Sequence, residues 1–194
     1  EVVWTMNHLI QQGKILYWGT SQWSGAEIME AHRVAQQYKL IGPAVEQPQY
    51  NMFERFKMEQ DYLPVFQNTG MGTTIWSPLA AGFLTGKYND GIPAGSRLAI
   101  EGFDWLKERW LQDEKIKKVK KLEALAKEMN VPLAALAIAW TINNPNVTTT
   151  ILGATKKQQL EENLKALDVV SLLTPEINKK IEKILQNKPE LDLA

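Results

Sequence analysis

Four short stretches of this sequence change from apolar to small or polar residues in the same way. Ile15-Leu16-Tyr17-Trp18 runs into Gly19-Thr20-Ser21-Gln22, and Ala44-Val45-Glu46 into Gln47-Pro48-Gln49-Tyr50-Asn51. Thr73–Trp76 runs into Ser77-Pro78-Leu79-Ala80-Ala81-Gly82, and Thr148–Leu152 into Gly153-Ala154-Thr155. Hydroxyls, carboxamides and bare backbone N–H groups can approach a ligand closely where a large side chain would hold it off. One such ending is ordinary turn chemistry before a helix. Four in succession point to a shared binding edge.

The chemistry of that edge suits an anionic ligand. Gly153-Ala154-Thr155 opens a helix after a strand, so free N–H groups and the positive helix end suit an anion. Lys87 and Arg97 add two cations in the Gly-rich run "GKYNDGIPAGSR". Trp76, at a strand end, suits either a ring to stack on or a place in the core. There is no G-x-G-x-x-G and no G-K-[ST], so neither a Rossmann loop nor a P-loop is available. The chain has no cysteine, which excludes disulfides, thiolate chemistry and thiolate metal sites. His8 and His32 fall on amphipathic helical patterns and are read as surface or hydrogen-bonded residues. No metal is expected, because a site needs three or four converging ligands.

Such an edge requires strands that alternate with helices. Val2, Val3, Met6, Leu9 and Ile10 recur at helical spacing, with Gly13 as a stop and no N-cap residue ahead. The chain opens on Glu1, and this start reads as the inside of a larger protein. Strands are expected at Ile15–Trp18, Ala44–Glu46, Thr73–Trp76 and Thr148–Leu152. Ser24 and Glu27 form a capping-box pattern ahead of a helix carrying Ile28, Ala31, Ala35 and Tyr38. A helical pattern from Glu54 to Phe66 contains Pro64, which should kink or shorten it. Thr155 and Gln158 read as another capping box. Between Pro78 and Asp113 lies a long Gly/Pro-rich connection, a length usually tied to function. Helices follow on Ile116, Val119, Leu122, Leu125 and Met129, then on Leu136 and Trp140 with Pro132 at the first helical position. The last helix begins at Thr174-Pro175 and carries Ile177, Ile181 and Ile184. This alternation argues for a parallel sheet. Spacing alone fits either half of an eight-stranded (β/α) barrel or a short open sheet, and both gather ligands at the carboxyl ends of their strands.

Composition narrows the class. The 194 residues are 44% hydrophobic and 23% charged, ordinary for one soluble globular domain. Lys+Arg and Asp+Glu balance at 22 each, so no basic excess points to nucleic acid. No apolar run approaches the roughly 20 residues of a membrane span, and no signal peptide is visible. A cytoplasmic protein without membrane insertion is the default expectation.

The motifs "YWGTSQWS", "VEQPQYNMF", "WSPLAAGFLTGKY", "LAIAW" and "ILGATKKQQLEENL" together resemble the C-terminal half of aldo-keto reductases. They look most like the branch containing the potassium-channel β subunits, and the resemblance covers nearly the whole chain. It implies an α/β fold, a (β/α)8 TIM barrel, of which residues 1–194 supply the C-terminal half: four βα units plus extra helices. It implies NADP(H), bound in extended form. By matching motif, Ser21 and Gln47 would hydrogen-bond the nicotinamide carboxamide, with Gln22 beside it, and Trp76 would stack on the ring. Ser77, Pro78, Leu79, Ala80 and Ala81 would line the pyrophosphate, with Lys87 and Arg97 reaching phosphates. Gly153, Thr155, Gln159, Glu162 and Asn163 would hold the adenosine end and its 2′-phosphate. Two positions depart from the channel branch, which carries an arginine at the position of Gln22 and a tyrosine at that of Gly95. Both weaken the expectation of very tight cofactor retention.

The family's catalytic tetrad comes from the first four strands, so no catalytic residue is assigned in this chain. The resemblance implies that the complete protein reduces a small aldehyde or ketone with NADPH, and that this chain needs the N-terminal half of the barrel. The alternative it implies is an auxiliary subunit or redox sensor with a channel partner. A half-barrel fragment without function is a third reading. Homo-oligomer formation is compatible with each. Alone, the chain is expected to leave open sheet edges and to self-associate or aggregate.

Overall fold

The computed structural model describes residues 1–190. Its strands are β1 (Gly19–Thr20), β2 (Val45–Glu46), β3 (Gly72–Ile75) and β4 (Thr149–Thr150). They form one sheet in the order β1-β2-β3-β4, with every pairing parallel. Each strand therefore lies beside the next one in sequence. An open doubly wound sheet reverses its order at a switch point, whereas this unbroken succession is the arc of a (β/α) barrel.

The pleat sorts the residues. Thr20, Glu46, Thr73 and Ile75 are buried, while Gly19, Val45, Gly72 and Thr74 alternate with them on a partly exposed face. Gly19 is required by close approach, since a Cβ there would lie 2.2 Å from the Val45 carbonyl oxygen.

Helices cover the buried face: α1 (Val2–Gln11), α2 (Gly25–Tyr38), a π-helix (Lys57–Asp61), α3 (Leu63–Thr69), α4 (Asp104–Trp110), α5 (Asp113–Glu128), α6 (Leu133–Ile142), α7 (Lys157–Leu164), α8 (Ala166–Val170) and α9 (Pro175–Leu185). Their core centres on Tyr62, Ile75, Phe83, Trp110, Leu122 and Leu136. The α6 sequence LAALAIAW is apolar all round because the helix is buried nearly all round. A smaller cluster of Val3, Trp18, Ala31 and Ala35 joins α1 to α2. Ser24 and Glu27 form the expected capping box, and Thr174 caps α9 through the Ile177 N–H.

One buried cation ties the chain's far end to the segment after β2. The Arg55 side chain, 3% exposed, pairs with Glu59 at 2.7 Å and with Glu182 of α9 at 2.8 Å. Its guanidinium lies 5.1 Å from the Trp140 ring centroid, and Asn187 donates to the Met52 carbonyl at 2.9 Å.

Several expectations are corrected. Ile15–Trp18 is not a strand: Leu16 and Tyr17 are 80% and 77% exposed. Only Ile15 and Trp18 pack inward, and ladder pairing starts at Gly19, opposite Val45. β4 is shorter than Thr148–Leu152. The Glu54–Phe66 pattern is divided at Tyr62 into a π-helix and α3, with Pro64 in the first turn of α3 and the helix running on to Thr69. Pro132 is an N-cap residue rather than a first helical one. The Thr155–Gln158 box does not form, because α7 starts at Lys157 and places Gln159 at its third position. The connection between Pro78 and Asp113 is built from short pieces, two 3-10 turns (Ala80–Thr85 and Arg97–Ala99) and α4. His32 is partly buried with Nε2 unpartnered, and burial lowers its pKa.

Candidate functional site

Backbone strain locates the site. Among the described residues, seven that are not glycine have positive φ. Lys39, Asn130 and Gln186 close helices, where a left-handed residue is routine. The other four lie on the segments that leave β1 and β3: Gln22 (62°), Ser77 (58°), Ala80 (49°) and Ala81 (58°). Such residues cost of order 1–3 kcal/mol each and persist where their surroundings over-determine them. Here the surroundings are visible. Asn51 donates to the Ser77 carbonyl at 2.9 Å, and its own Oδ1 accepts from Phe53 and Glu54 N–H. The Leu79 carbonyl accepts from both Gly82 and Leu84 N–H, at 2.9 and 3.1 Å.

β1 and β3 bring one set of residues together across β2. The Ser21 hydroxyl donates to the Gln47 carbonyl at 2.9 Å, and Gln47 Nε2 approaches Thr74 Oγ1 at 3.4 Å. Trp76 N–H donates to the Pro48 carbonyl at 3.0 Å. The Gln22 amide, oriented by its donors, accepts from Trp76 Nε1 at 3.0 Å and from Gln49 N–H. Ser21, Gln22, Gln47 and Trp76 thus share one hydrogen-bonded edge, with Ser21, Gln22 and Gln47 exposed and Trp76 partly so. Beneath it lies a buried polar layer. The Glu46 carboxylate accepts from the Thr20 hydroxyl, and the single proton of Tyr62 Oη is directed at the Trp23 carbonyl at 2.6 Å and shared with Glu46 at 3.2 Å. Burial, and then the Glu46 charge, push the Tyr62 phenol well above its ordinary pKa.

The remaining expected residues are arranged more loosely. Pro78 and Ala80 are buried, and Leu79 and Ala81 partly so. Lys87 folds back over Gly82, where an added Cβ would lie 2.7 Å from its Nζ. The Arg97 guanidinium lies 5.8 Å from the Phe103 ring centroid, beside a buried Ser96 hydroxyl with no partner. Gly153, Thr155 and Gln159 are exposed, Glu162 partly so, and Asn163 buried. Of the N–H groups expected to be free, that of Thr155 is already in use, since Gln159 Oε1 accepts from Thr155 at 2.9 Å as well as from Lys156 at 3.2 Å. Glu162 accepts from Gln158 at 3.0 Å. No hydrogen bond among the described residues joins Gly153–Asn163 to the set around Trp76.

Three neighbours of this edge have contacts that the sequence does not single out. Asn51 carries a weak local signal, an Asn able to turn its own backbone. Glu46, a lone carboxylate in an apolar strand, carries a moderate one. Lys57, whose ammonium reaches the Gln22 and Trp23 carbonyls, carries none.

Residues 1–186 match the sequence model of the Aldo/keto reductase family. The chain is 52% identical over 191 residues to a "Probable voltage-gated potassium channel subunit beta" of Oryza sativa subsp. japonica, covering 98% of this chain and 58% of that protein. It is 51% identical to a protein of the same description from Arabidopsis thaliana, with the same coverage. A "Putative voltage-gated potassium channel subunit beta" of Schizosaccharomyces pombe is 48% identical, over 97% of this chain and 56% of that protein. The chain therefore spans less than two thirds of the length of these relatives. The match runs through all four strands and the whole polar edge at their ends, and the chain belongs to the aldo/keto reductase family.

Proposed function

We propose that residues 1–194 form the C-terminal half of one barrel domain and carry the NADP(H)-binding edge of a reductase acting on aldehydes or ketones. The observation that supports it is the strained, hydrogen-bonded edge around Trp76, open to solvent on a chain whose family is of oxidoreductases. The donor set fits the cofactor. Ser21 and Gln47 offer a hydroxyl and a carboxamide to a nicotinamide carboxamide, and Trp76 offers an indole whose N–H is already satisfied. Ser77, Pro78, Leu79, Ala80 and Ala81 would line the pyrophosphate, and Lys87 and Arg97 would meet phosphates. Gly153 has open space on its Cβ side, and Thr155, Gln159, Glu162 and Asn163 would serve the adenosine end once Gln159 releases the N–H groups it holds.

When bound, the reduced nicotinamide supplies a hydride to a carbonyl carbon. The resulting alkoxide needs a positioned proton donor, a contribution of about 10²–10⁴-fold. No residue here is assigned that role, so the chain alone should lack turnover. The test is NADPH titration of the complete protein. Arg97→Ala should weaken binding about tenfold, as expected for a lost charged hydrogen bond, and rising salt should weaken the wild type. Unchanged affinity in Arg97→Ala removes that residue from the site.

A second reading is favoured by the relatives' descriptions: an auxiliary subunit that binds NADP(H) and associates with a potassium channel. Co-purification with a channel, with NADPH bound and no carbonyl turnover, selects it.

A further inference from the structure

The π-helix Lys57–Asp61 lies beside the site and is used neither by the family resemblance nor by the mechanism. Its widened turn is closed by Tyr62 N–H donating to the Lys57 carbonyl at 2.8 Å. That turn lets Lys57, Asp61 and Tyr62 all contact residues 22–25, the segment leaving β1. Lys57 Nζ donates to the Gln22 carbonyl at 2.9 Å and to the Trp23 carbonyl at 2.7 Å. Tyr62 Oη donates to the same Trp23 carbonyl, and Asp61 Oδ2 accepts from Gly25 N–H at 3.0 Å. The fit leaves no slack, because a Cβ on Gly25 would lie 2.2 Å from the Asp61 carbonyl oxygen.

We infer that Lys57 is a positioning residue for the ring end of the site, acting through Gln22 on Trp76. Two successive carbonyl oxygens that converge on one point repel each other unless a cation lies between them. An ammonium has three donors, and here two are spent on these carbonyls. The Tyr62 ring, its centroid 5.4 Å from Nζ, backs the ammonium from another side. Holding both carbonyls fixes Gln22 at φ 62°. In that conformation the Gln22 side chain accepts from the Trp76 indole N–H and from Gln49 N–H, so the indole plane is set by a lysine that does not touch it. The ligand readout of this proposal rests on the cofactor reading above; its structural readout does not.

The experiment uses the complete protein and Lys57→Met, which keeps the stem and removes the charge. Hydrogen exchange at the Trp76 indole N–H, followed by NMR without ligand, should accelerate. NADPH affinity should fall about tenfold, as for a lost charged hydrogen bond. Affinity for 2′,5′-ADP, which has no nicotinamide, should stay unchanged, and Lys57→Arg should restore both properties. Should Lys57→Met not fold, Lys57→Gln, which retains a donor, should give intermediate exchange. Unchanged indole exchange in a folded variant overturns the proposal, and so does equal weakening of NADPH and 2′,5′-ADP. A wild type that binds neither ligand defeats the cofactor reading, while the exchange result still decides the role of Lys57.

Discussion

The two ends of the site are built on different principles. Around Trp76, left-handed backbone at Gln22 and Ser77 is held by Lys57 and Asn51, over a buried layer of Thr20, Glu46 and Tyr62. Around Gly153–Asn163, the residues are mostly exposed and the N–H groups at the head of α7 are held by the Gln159 side chain. A flat ring must be met at a fixed angle and distance, so its contacts need a rigid frame before it arrives. A phosphate can be met by charge from several directions, so on the cofactor reading proposed above exposed Lys87 and Arg97 would suffice. The contrast teaches that geometry is stored at one end, and the proposed reading leaves electrostatic attraction to the other.

The largest test removes the frame. Arg55→Leu leaves Glu59 and Glu182 facing one another without their cation. Breaking a buried pair costs about 3–5 kcal/mol, and the lower figure applies because Glu182 is 34% exposed and rehydrates. Urea unfolding of the complete protein should show a loss of roughly 3 kcal/mol. A loss below about 1 kcal/mol, the range of a surface pair, would show that the segment after β2 does not depend on Arg55.

A smaller effect comes from alkali. Burial first, and then the Glu46 charge, raise the Tyr62 pKa. A raised folded pKa means that the phenol's contribution is intact below the unfolded value of about 10 and is lost as pH rises beyond it. Between pH 8 and 10.5 the wild type should lose at most roughly 0.8 kcal/mol through this one group. Tyr62→Phe should lose correspondingly less over the same interval. Identical pH profiles would place ionisable Tyr62 outside the frame.

The smallest test exchanges single backbone positions. Ala81→Gly relieves a left-handed alanine, offset by the extra freedom glycine gives the unfolded chain, for a net gain of about 0.5 kcal/mol. Gly153→Ala meets nothing within 4 Å and needs no positive φ, so stability should change by less than about 0.5 kcal/mol. Thermal unfolding of both variants, side by side, measures the stored strain directly. A destabilised Ala81→Gly would show that the methyl's packing outweighs it.

Much of this was legible in the sequence, and the failures have physical causes. The helices on Ile116–Met129 and Ile177–Ile184 were readable because one face is buried and the 3.6-residue period survives. The strand at Ile15–Trp18 was misplaced because apolar and aromatic residues mark a strand even where Leu16 and Tyr17 are exposed, while the ladder opens on Gly19, a poor strand former. The polar strand ends were legible as a set, since every one carries small or hydrogen-bonding residues. Lys57 was not, because a lysine in a polar helical pattern looks like any solvated one. The π-turn that aims it depends on tertiary contact with Trp23 and Gly25. The left-handed run Ala80-Ala81 was equally hidden, alanine being a helix former that no turn rule flags.

Sequential pairing of the strands has a consequence for how the chain assembles. Gly19 pairs with Val45 and Val45 with Gly72, contacts that close short excursions of similar length. Thr74 must wait for Thr149, across the whole stretch that includes α4, α5 and α6. Closure entropy grows only as the logarithm of loop length, so this last step costs about 1 kcal/mol more than the earlier ones. That cost falls on the chain before β4 returns any contact of its own, unless α6 has already docked on the core. The all-apolar surface of α6 is thus suited to recruit the fourth strand, and the edge at Gly153–Asn163 is then expected to be the last part to form.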